Sequence, residues 1–198
     1  KNPKDDIKDG LKYVEKALNI KPNYPNSLAV SGSLNMMAGN FDLGCNTMLL
    51  VDEFAEEIND KALGAAAQYF CGKLDVALPN FEYVITKAPH FPSWVKYLYG
   101  YALTDSGDYD KALDFFEVEL QKDHAWSGSS QTMYLLSAFI NLKRGDQKKA
   151  KELFEKQKAL DGKGKTVKQI KGELFGAIDK TFLNEFLDAL APFGLPQE

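Results

Sequence analysis

Apolar residues recur along this chain in steps of three and four, the spacing of one face of an α-helix. Between Ser93 and Ser106 the spacing gives a stripe that is sufficient to build a core: Val95, Leu98, Tyr99, Ala102 and Leu103. Near the C-terminus the same spacing is shown by Phe182, Leu183, Phe186, Leu187 and Leu190. Both patterns predict amphipathic helices.

A short phrase built around a glycine occurs four times. The glycines are Gly39, Gly72, Gly107 and Gly145, separated by 33, 35 and 38 residues. Five residues after each glycine stands a small residue: Gly44, Ala77, Ala112 and Ala150. Four residues later stands a large apolar one: Met48, Phe81, Phe116 and Phe154. The sequence therefore contains a repeat with a period near 34 residues.

Each position of this repeat has a physical role. The glycine ends a helix in a left-handed conformation that a side chain would penalise, and the Asn or Asp that often follows it can cap the next helix. The small residue lets two antiparallel helices approach closely, and the large one fills the space between them. Pro22 and Pro89 end the second helix of a pair. The repeat thus predicts a helix, a tight turn and a second helix.

These residues resemble the tetratricopeptide repeat, whose second helix carries a small residue, an aromatic four positions later and then a proline. The resemblance covers residues 5 to 160 and implies an all-α fold, a right-handed superhelix of antiparallel helix pairs. It implies helices near 5–20, 25–38, 41–57, 60–71, 74–88, 93–106, 109–122, 129–144 and 147–160, with two more near 166–178 and 180–191.

Residues 1–160 are predicted to form the helical repeats, the first of them incomplete, and residues 161–198 to form capping helices and a tail. Two interpretations are open for its last helix, which either covers the exposed end of the array or folds back into the binding groove. The ending around Phe193-Gly194-Leu195 also resembles the end of the repeat regions of bacterial class III adenylate cyclases and similar signalling proteins. Because the chain opens on what looks like the second helix of a pair, we expect it to be part of a longer protein.

The amino-acid composition limits the classes of partner and the cellular locations to be expected. The chain has 24 Lys and Arg against 28 Asp and Glu, and a net charge of -4 gives no overall attraction to nucleic acid or anionic membrane. No signal peptide and no apolar stretch of about 18 residues is visible, which favours a cytoplasmic protein. Cys45 and Cys71 have no partner at metal-ligand spacing, and we interpret both as small buried residues in a reduced compartment.

Charge is uneven, since the segment from Lys143 to Glu173 holds eleven Lys or Arg against five Asp or Glu. The plain interpretation is a solvated helix face. The functional alternative is a docking patch for an acidic partner or nucleic acid, centred on Lys143 to Lys171. Nucleic acid is disfavoured because stacking aromatics are nearly absent there.

One motif suggests nucleotide chemistry. The run from Ala159 to Thr166, with Gly162, Gly164 and Lys165, resembles a relaxed phosphate-binding loop, but a helix precedes it where a buried strand is required. We expect a flexible turn in which Thr166 caps the next helix. The two histidines, His90 and His124, fall in predicted surface turns. No catalytic residue, metal site or cofactor is predicted.

The resemblance places a ligand groove on the first helix of each pair. Trp94, Tyr97 and Tyr101 form a second bulky stripe on one such helix, which must be buried or bind something. The predicted peptide-binding residues are Met36, Met37, Tyr69, Phe70, Trp94, Tyr97, Tyr101 and Phe139. Family members that hold a partner's C-terminal carboxylate use Lys, Arg and Asn on these helices. The Lys and Arg of such a site are absent from these helices here. This argues against partners that bind through a C-terminal carboxylate, as the tails of chaperones do.

The sequence thus favours a non-catalytic scaffold that binds a protein or peptide. We expect this scaffold to be part of a larger signalling or regulatory protein from a bacterium. Two alternatives stay open. One is a nucleotide-binding enzyme that uses the loop Gly162 to Thr166. The other is a nucleic-acid-binding regulator that uses the basic segment.

Overall fold

The computed structural model of the protein describes residues 3–90, 92–122, 127–174 and 180–197. The described residues form eleven α-helices and no strand. The helices are α1 (Pro3–Ile20), α2 (Pro25–Met37), α3 (Phe41–Glu53), α4 (Ile58–Phe70), α5 (Leu74–Lys87), α6 (Ser93–Asp105), α7 (Tyr109–Leu120), α8 (Ser127–Lys143), α9 (Gln147–Ala159), α10 (Val167–Glu173) and α11 (Thr181–Leu190). A short 3-10 turn, Ala191–Phe193, follows α11. The all-α prediction is confirmed.

The helices belong to two compact units. Unit 1 is the described part of residues 1–90 and holds α1 to α5, while unit 2 is the described part of residues 91–174 and 180–198 and holds α6 to α11. Within the units, α2 packs on α3, α4 on α5, α6 on α7 and α8 on α9. The predicted division at residue 160 separates repeats from C-terminal helices by sequence pattern, and it remains an interpretation.

The tight turns follow the repeat. Gly39, Gly72, Gly107 and Gly145 have φ values of 91°, 72°, 79° and 80°, the left-handed region in which a side chain is strained. Asp108 and Asp146 accept hydrogen bonds from the backbone N–H of Lys111 and Lys149 and so cap α7 and α9. Asn40 makes no such bond at the start of α3. The glycine prediction is therefore confirmed at every turn, and the cap prediction at two.

The small residues do bring paired helices together. A methyl group at Gly32 would lie 2.7 Å from the carbonyl oxygen of Gly44, so α2 and α3 cross almost backbone to backbone. In unit 2 a methyl group at Gly100 would lie 2.6 Å from the ring of Phe116. The repeat's small and large residues are all buried, including Ala77, Ala112, Ala150, Phe81 and Phe154. These contacts fix the pairs as antiparallel and interdigitated.

One predicted helix end is wrong, and another lies outside the described residues. The sequence predicts that the third helix continues to residue 57, but α3 ends at Glu53. Phe54 leaves the helix and packs on the cluster of Leu28, Ala29 and Val51, so burial of its ring competes with continuation of the helix. The helix predicted near 166–178 is α10, with Leu174 as its C-cap. The remainder of that prediction lies outside the described residues.

The two cysteines are joined, which corrects the expectation of reduced, independent residues. Cys45 and Cys71 form a disulfide with their Cα atoms 5.6 Å apart. The sequence separation of 26 hid this pairing, because Cys45 lies in the first turns of α3 while Cys71 follows the last turn of α4. Packing of α3 on α4 brings those two ends together.

Candidate functional site

The predicted groove residues of unit 1 are mostly core. Met36 fills the space over Gly44, and Met36, Tyr69 and Phe70 are all buried. Met37, at the end of α2, is the exposed member, with 52% of its surface accessible. Of the four predicted groove residues in unit 1, only Met37 is therefore available to a partner in this conformation.

The aromatic stripe of α6 is divided between surface and core. Trp94 and Tyr97 are half-buried, whereas Tyr101 is fully buried. The rings of Tyr97 and Tyr101 meet edge to face at 6.4 Å. On α6 the predicted open groove is thus reduced to Trp94 and Tyr97, and the role of these two residues in binding stays a prediction.

Tyr101 and Phe139 are buried because α11 lies on them. The ring of Tyr101 meets those of Phe182 and Phe186 edge to face at 6.3 and 6.1 Å. Phe139, on α8, meets the same two rings at 5.9 and 5.5 Å. We call Tyr101 and Phe139, with Tyr97 beside them, the aromatic face of unit 2. This face lies on α6 and α8, the first helices of their pairs, and we also call it the first-helix face. Of the two interpretations of the last helix, the structure favours the one in which the helix folds back onto that face.

A polar network borders the aromatic face. The hydroxyl of Tyr101 donates to Glu173 Oε2 at 3.1 Å, and the hydroxyl of Thr132 donates to the same oxygen at 3.3 Å. Lys165 donates to Thr132 and forms an ion pair with Glu173. Burial, together with the negative charge of Glu173, raises the pKa of Tyr97 to about 12. Burial lowers the pKa of the Lys165 ammonium, although Glu173 opposes that shift.

The loop that resembles a phosphate-binding motif is a turn held by its own hydrogen bonds. Asp161 Oδ1 accepts the backbone N–H groups of Lys163 and Gly164 at 2.9 and 2.7 Å. These bonds hold the pKa of Asp161 below its usual value. The Lys165 side chain is buried against Glu173 and does not face outward. The two amides and the lysine that would hold a phosphate are thus already engaged.

The cap predicted for the following helix is confirmed. Thr166 Oγ1 accepts the backbone N–H of Gln169 at 3.2 Å, and Gln169 Oε1 accepts the N–H of Thr166 at 2.8 Å. This reciprocal capping box begins α10 directly after Lys165. It positions Glu173, two turns later, beside the lysine.

The basic segment shares part of its charge with acidic neighbours. Lys143 pairs with Glu185, Arg144 with Asp110 at 2.6 Å, and Lys158 with Glu155 at 3.5 Å. Several others, including Lys148, Lys149 and Lys168, lie on the surface. This distribution fits a solvated helix face that also holds helices together.

A groove in unit 1 was missed by the sequence reasoning. It has a volume of about 580 Å³ and lies among α1, α2 and α3, lined by Leu11, Val14, Glu15, Leu18, Asn19, Pro22, Ser31, Asn35, Leu43 and Thr47. Leu43 is more than half exposed, as is Tyr13 on α1. The sequence offered one indication, since Leu11, Leu18 and Leu43 are apolar residues of second helices that the repeat's small and large positions do not use.

The described ranges contain no group of three or more His, Cys, Asp or Glu side chains that could hold a metal ion. None of their helices has the length and apolar character that a membrane span requires. His90 lies on the surface, as predicted, and His124 lies outside the described residues.

The paired helices, glycine turns and small-on-large contacts define a tetratricopeptide-like fold. Solved structures agree. The chain is similar to MamA (16% identity, 82% of this chain and 93% of that one, TM-score 0.60) and to MamA from Desulfovibrio magneticus RS-1 (20% identity, 79% and 86%, TM-score 0.61). It is also similar to YrrB, described as a tetratricopeptide protein with an unusual peptide-binding site (13% identity, 80% and 79%, TM-score 0.58).

No protein-family model matches the chain, and the comparison with curated proteins also finds no match. At these identities the structural likeness shows the fold alone.

Proposed function

We propose that this chain is a protein-interaction module that binds a protein or peptide on its helical surfaces. One observation supports this most directly. The first-helix face of unit 2 already receives an amphipathic helix, because Tyr101 and Phe139 contact Phe182 and Phe186 of α11. A helix laid on aromatic side chains is a recurrent mode of peptide recognition.

Exposed apolar side chains offer further contact area. Tyr13 and Ile20 on α1, Met37 on α2 and Leu43 on α3 are each more than half exposed. Trp94 and Tyr97 add half-buried aromatic surface on α6. Large, rigid side chains of this kind anchor many interfaces.

The cellular setting is a separate proposal. A place in a larger bacterial signalling or regulatory protein is supported only by the short C-terminal resemblance to cyclase-associated repeats. The disulfide between Cys45 and Cys71 weighs against the expected cytoplasmic location, because disulfides persist mainly in oxidising compartments. We therefore propose the interaction function without that location.

The test is selection of peptides from a displayed library on the full chain, followed by calorimetric titration of the selected peptides. We expect binders whose affinity falls about tenfold or more on Tyr97→Ala or Met37→Asp. Val118→Asp is the matched control, because Val118 is equally exposed but lies on α7, a second helix. Failure to select any binder, or equal loss with the control, would refute the proposal.

A further inference from the structure

The contact between α11 and the aromatic face of unit 2 has the geometry of a bound ligand. Leu183, Phe186 and Leu190 of α11 are buried, and Phe182 is half-buried. On the opposite side Thr181, Asn184 and Asp188 are exposed. Phe182 and Phe186 stand four residues apart, so they present two rings on one side of the helix to Tyr101 and Phe139.

Side chains hold α11 in this position. Its contacts with α6 and α8 include the aromatic pairs and a peripheral ion pair between Glu185 and Lys143. Both ion-pair partners are partly exposed, so the pair contributes little to affinity and more to orientation.

The tail beyond α11 is attached differently. The backbone N–H of Val167 donates to the carbonyl of Pro196 at 2.7 Å, and that of Lys168 donates to Gln197 at 3.3 Å. Phe193 also packs on Phe154 with ring centroids 5.6 Å apart. The tail therefore stays anchored to α9 and α10 through contacts that do not involve the aromatic face. An attached helix competes for its site at high effective concentration.

We propose that the aromatic face of unit 2 binds an amphipathic helix from a partner protein and that α11 is its displaceable internal occupant. The inference rests on the proposed function and names the partner's chemistry. The partner helix carries aromatic residues at two positions four apart, which replace Phe182 and Phe186. A carboxylate directly before the second aromatic replaces Glu185 and meets Lys143.

In this arrangement α11 inhibits binding of a partner helix to the aromatic face. A partner helix must compete with α11, so its apparent affinity is reduced by the fraction of chains in which the face is open. Weakening α11 within the chain strengthens binding of the same helix added from outside. A permanent structural cap gives no such gain.

The experiment uses the full chain and a fluorescein-labelled peptide of residues 180–192, with binding followed by fluorescence anisotropy. One variant of the chain carries the substitution Phe182→Ala. Because Phe182 is half-buried, this variant should keep its fold, which circular dichroism will verify. We expect it to bind the peptide about tenfold or more tightly than the unmodified chain does. A peptide with Ala in place of both phenylalanines should not bind.

Charge reversal provides a second measurement that leaves the apolar contacts in place. A chain with Lys143→Glu should prefer a peptide with Glu185→Lys over the native peptide by about fivefold, and the unmodified chain should show the opposite preference. Lys151→Glu is the matched control, because Lys151 is exposed on α9 and has no described contact with α11; it should not alter the preference.

Three outcomes would overturn the inference: no peptide binding to either folded variant, equal binding of the alanine-substituted peptide, or dimerisation of the Phe182→Ala chain in light scattering. The last would assign the face to the α11 of a second copy. If peptides selected from the library still bind in any of these cases, the proposed function stands and only this inference fails.

Discussion

The hydroxyl of Tyr101 donates a hydrogen bond to Glu173 over 3.1 Å and thereby joins α6 to α10. The same carboxylate accepts from Thr132 on α8 and pairs with Lys165 in the preceding loop. Two features that looked unrelated in the sequence, an aromatic stripe and a glycine-rich loop with a lysine, therefore meet in one buried network. Substitution within that network should act on stability first.

Lys165→Ala should destabilise unit 2. Removing the ammonium leaves the partly buried Glu173 without its charge partner, and breaking such a pair costs about 3 kcal/mol. Lys163→Ala is the control, because its side chain is exposed two residues away. The measurement is the urea midpoint of both variants. Equal midpoints would show that Lys165 is not held as described.

Neither variant should bind ATP and magnesium, which equilibrium dialysis will check. Binding by the unmodified chain that is lost only with Lys165→Ala would restore the nucleotide hypothesis.

The sequence predicts most of the helices because their signals are local. A left-handed glycine, a small residue and a large one recur in each repeat, and each acts within about ten residues. The site was less predictable because burial of Tyr101 and Phe139 depends on α11, more than forty residues away from either. The pairing of Cys45 with Cys71 was hidden for the same reason. Periodicity shows that a face is apolar, but it does not show what covers it.

Ala77→Leu and Ala112→Leu should each destabilise the protein. Both alanines are fully buried where paired helices touch, and overpacking such a site costs about 1–3 kcal/mol. Ala38→Leu, at an exposed position just after α2, should change stability by less than about 0.5 kcal/mol. Thermal melts of the three variants provide the test. A melting temperature unaltered at both buried sites would contradict the repeat frame.

The stability of unit 2 should fall in acid through Glu119. This carboxylate is buried and bonded to Lys96 at 2.9 Å and to Lys122. Burial alone would raise its pKa, but the hydrogen bonds from the two lysines hold it below the ordinary value of 4.5. A folded pKa below the unfolded one contributes stability above pH 4.5, and that contribution is lost as pH falls through the folded value.

Glu119→Gln should therefore lower stability at pH 7, by about 1.5–3 kcal/mol for a charged hydrogen bond. The difference from the unmodified protein should shrink as the pH is lowered below 4.5. Urea titrations at several pH values measure this. A difference that stays constant from pH 7 to pH 3 would exclude the assigned role.

Breaking the disulfide should weaken unit 1. A cross-link that closes 26 residues stabilises a protein by about 3.5 kcal/mol in the chain-entropy model. Cys45→Ser, or a reductant added to the unmodified chain, should lower the melting temperature, whereas the reductant should not affect the Cys45→Ser variant. Thiol titration of the unfolded chain counts the free cysteines directly. Two free thiols in protein purified without reductant would show that the bond is not formed.

The final prediction separates Tyr97 from Tyr101, which the sequence places on one stripe. Tyr101→Ala should cost about 3–5 kcal/mol, because the ring is fully buried against Phe182 and Phe186. Tyr97→Ala should cost markedly less, since its side chain is half-buried, and its main effect should be on partner affinity. Urea midpoints followed by circular dichroism compare the two. Equal destabilisation would place both rings in the core and remove Tyr97 from the candidate site.

Titration identifies Tyr97 independently. Its pKa of about 12 lies above the ordinary 10.0, so the stability that it contributes is present below pH 10 and is lost as pH rises toward 12. In absorbance titrations Tyr97→Phe should reduce by one the number of tyrosines that ionise near pH 12, which removes the step that belongs to Tyr97. Glu173→Gln should lower the step toward 10, because the carboxylate's charge is the second cause of the shift. If Glu173→Gln leaves the step near pH 12, burial alone raises the pKa of Tyr97. The negative charge of Glu173 then has no measurable effect on the ionisation of Tyr97.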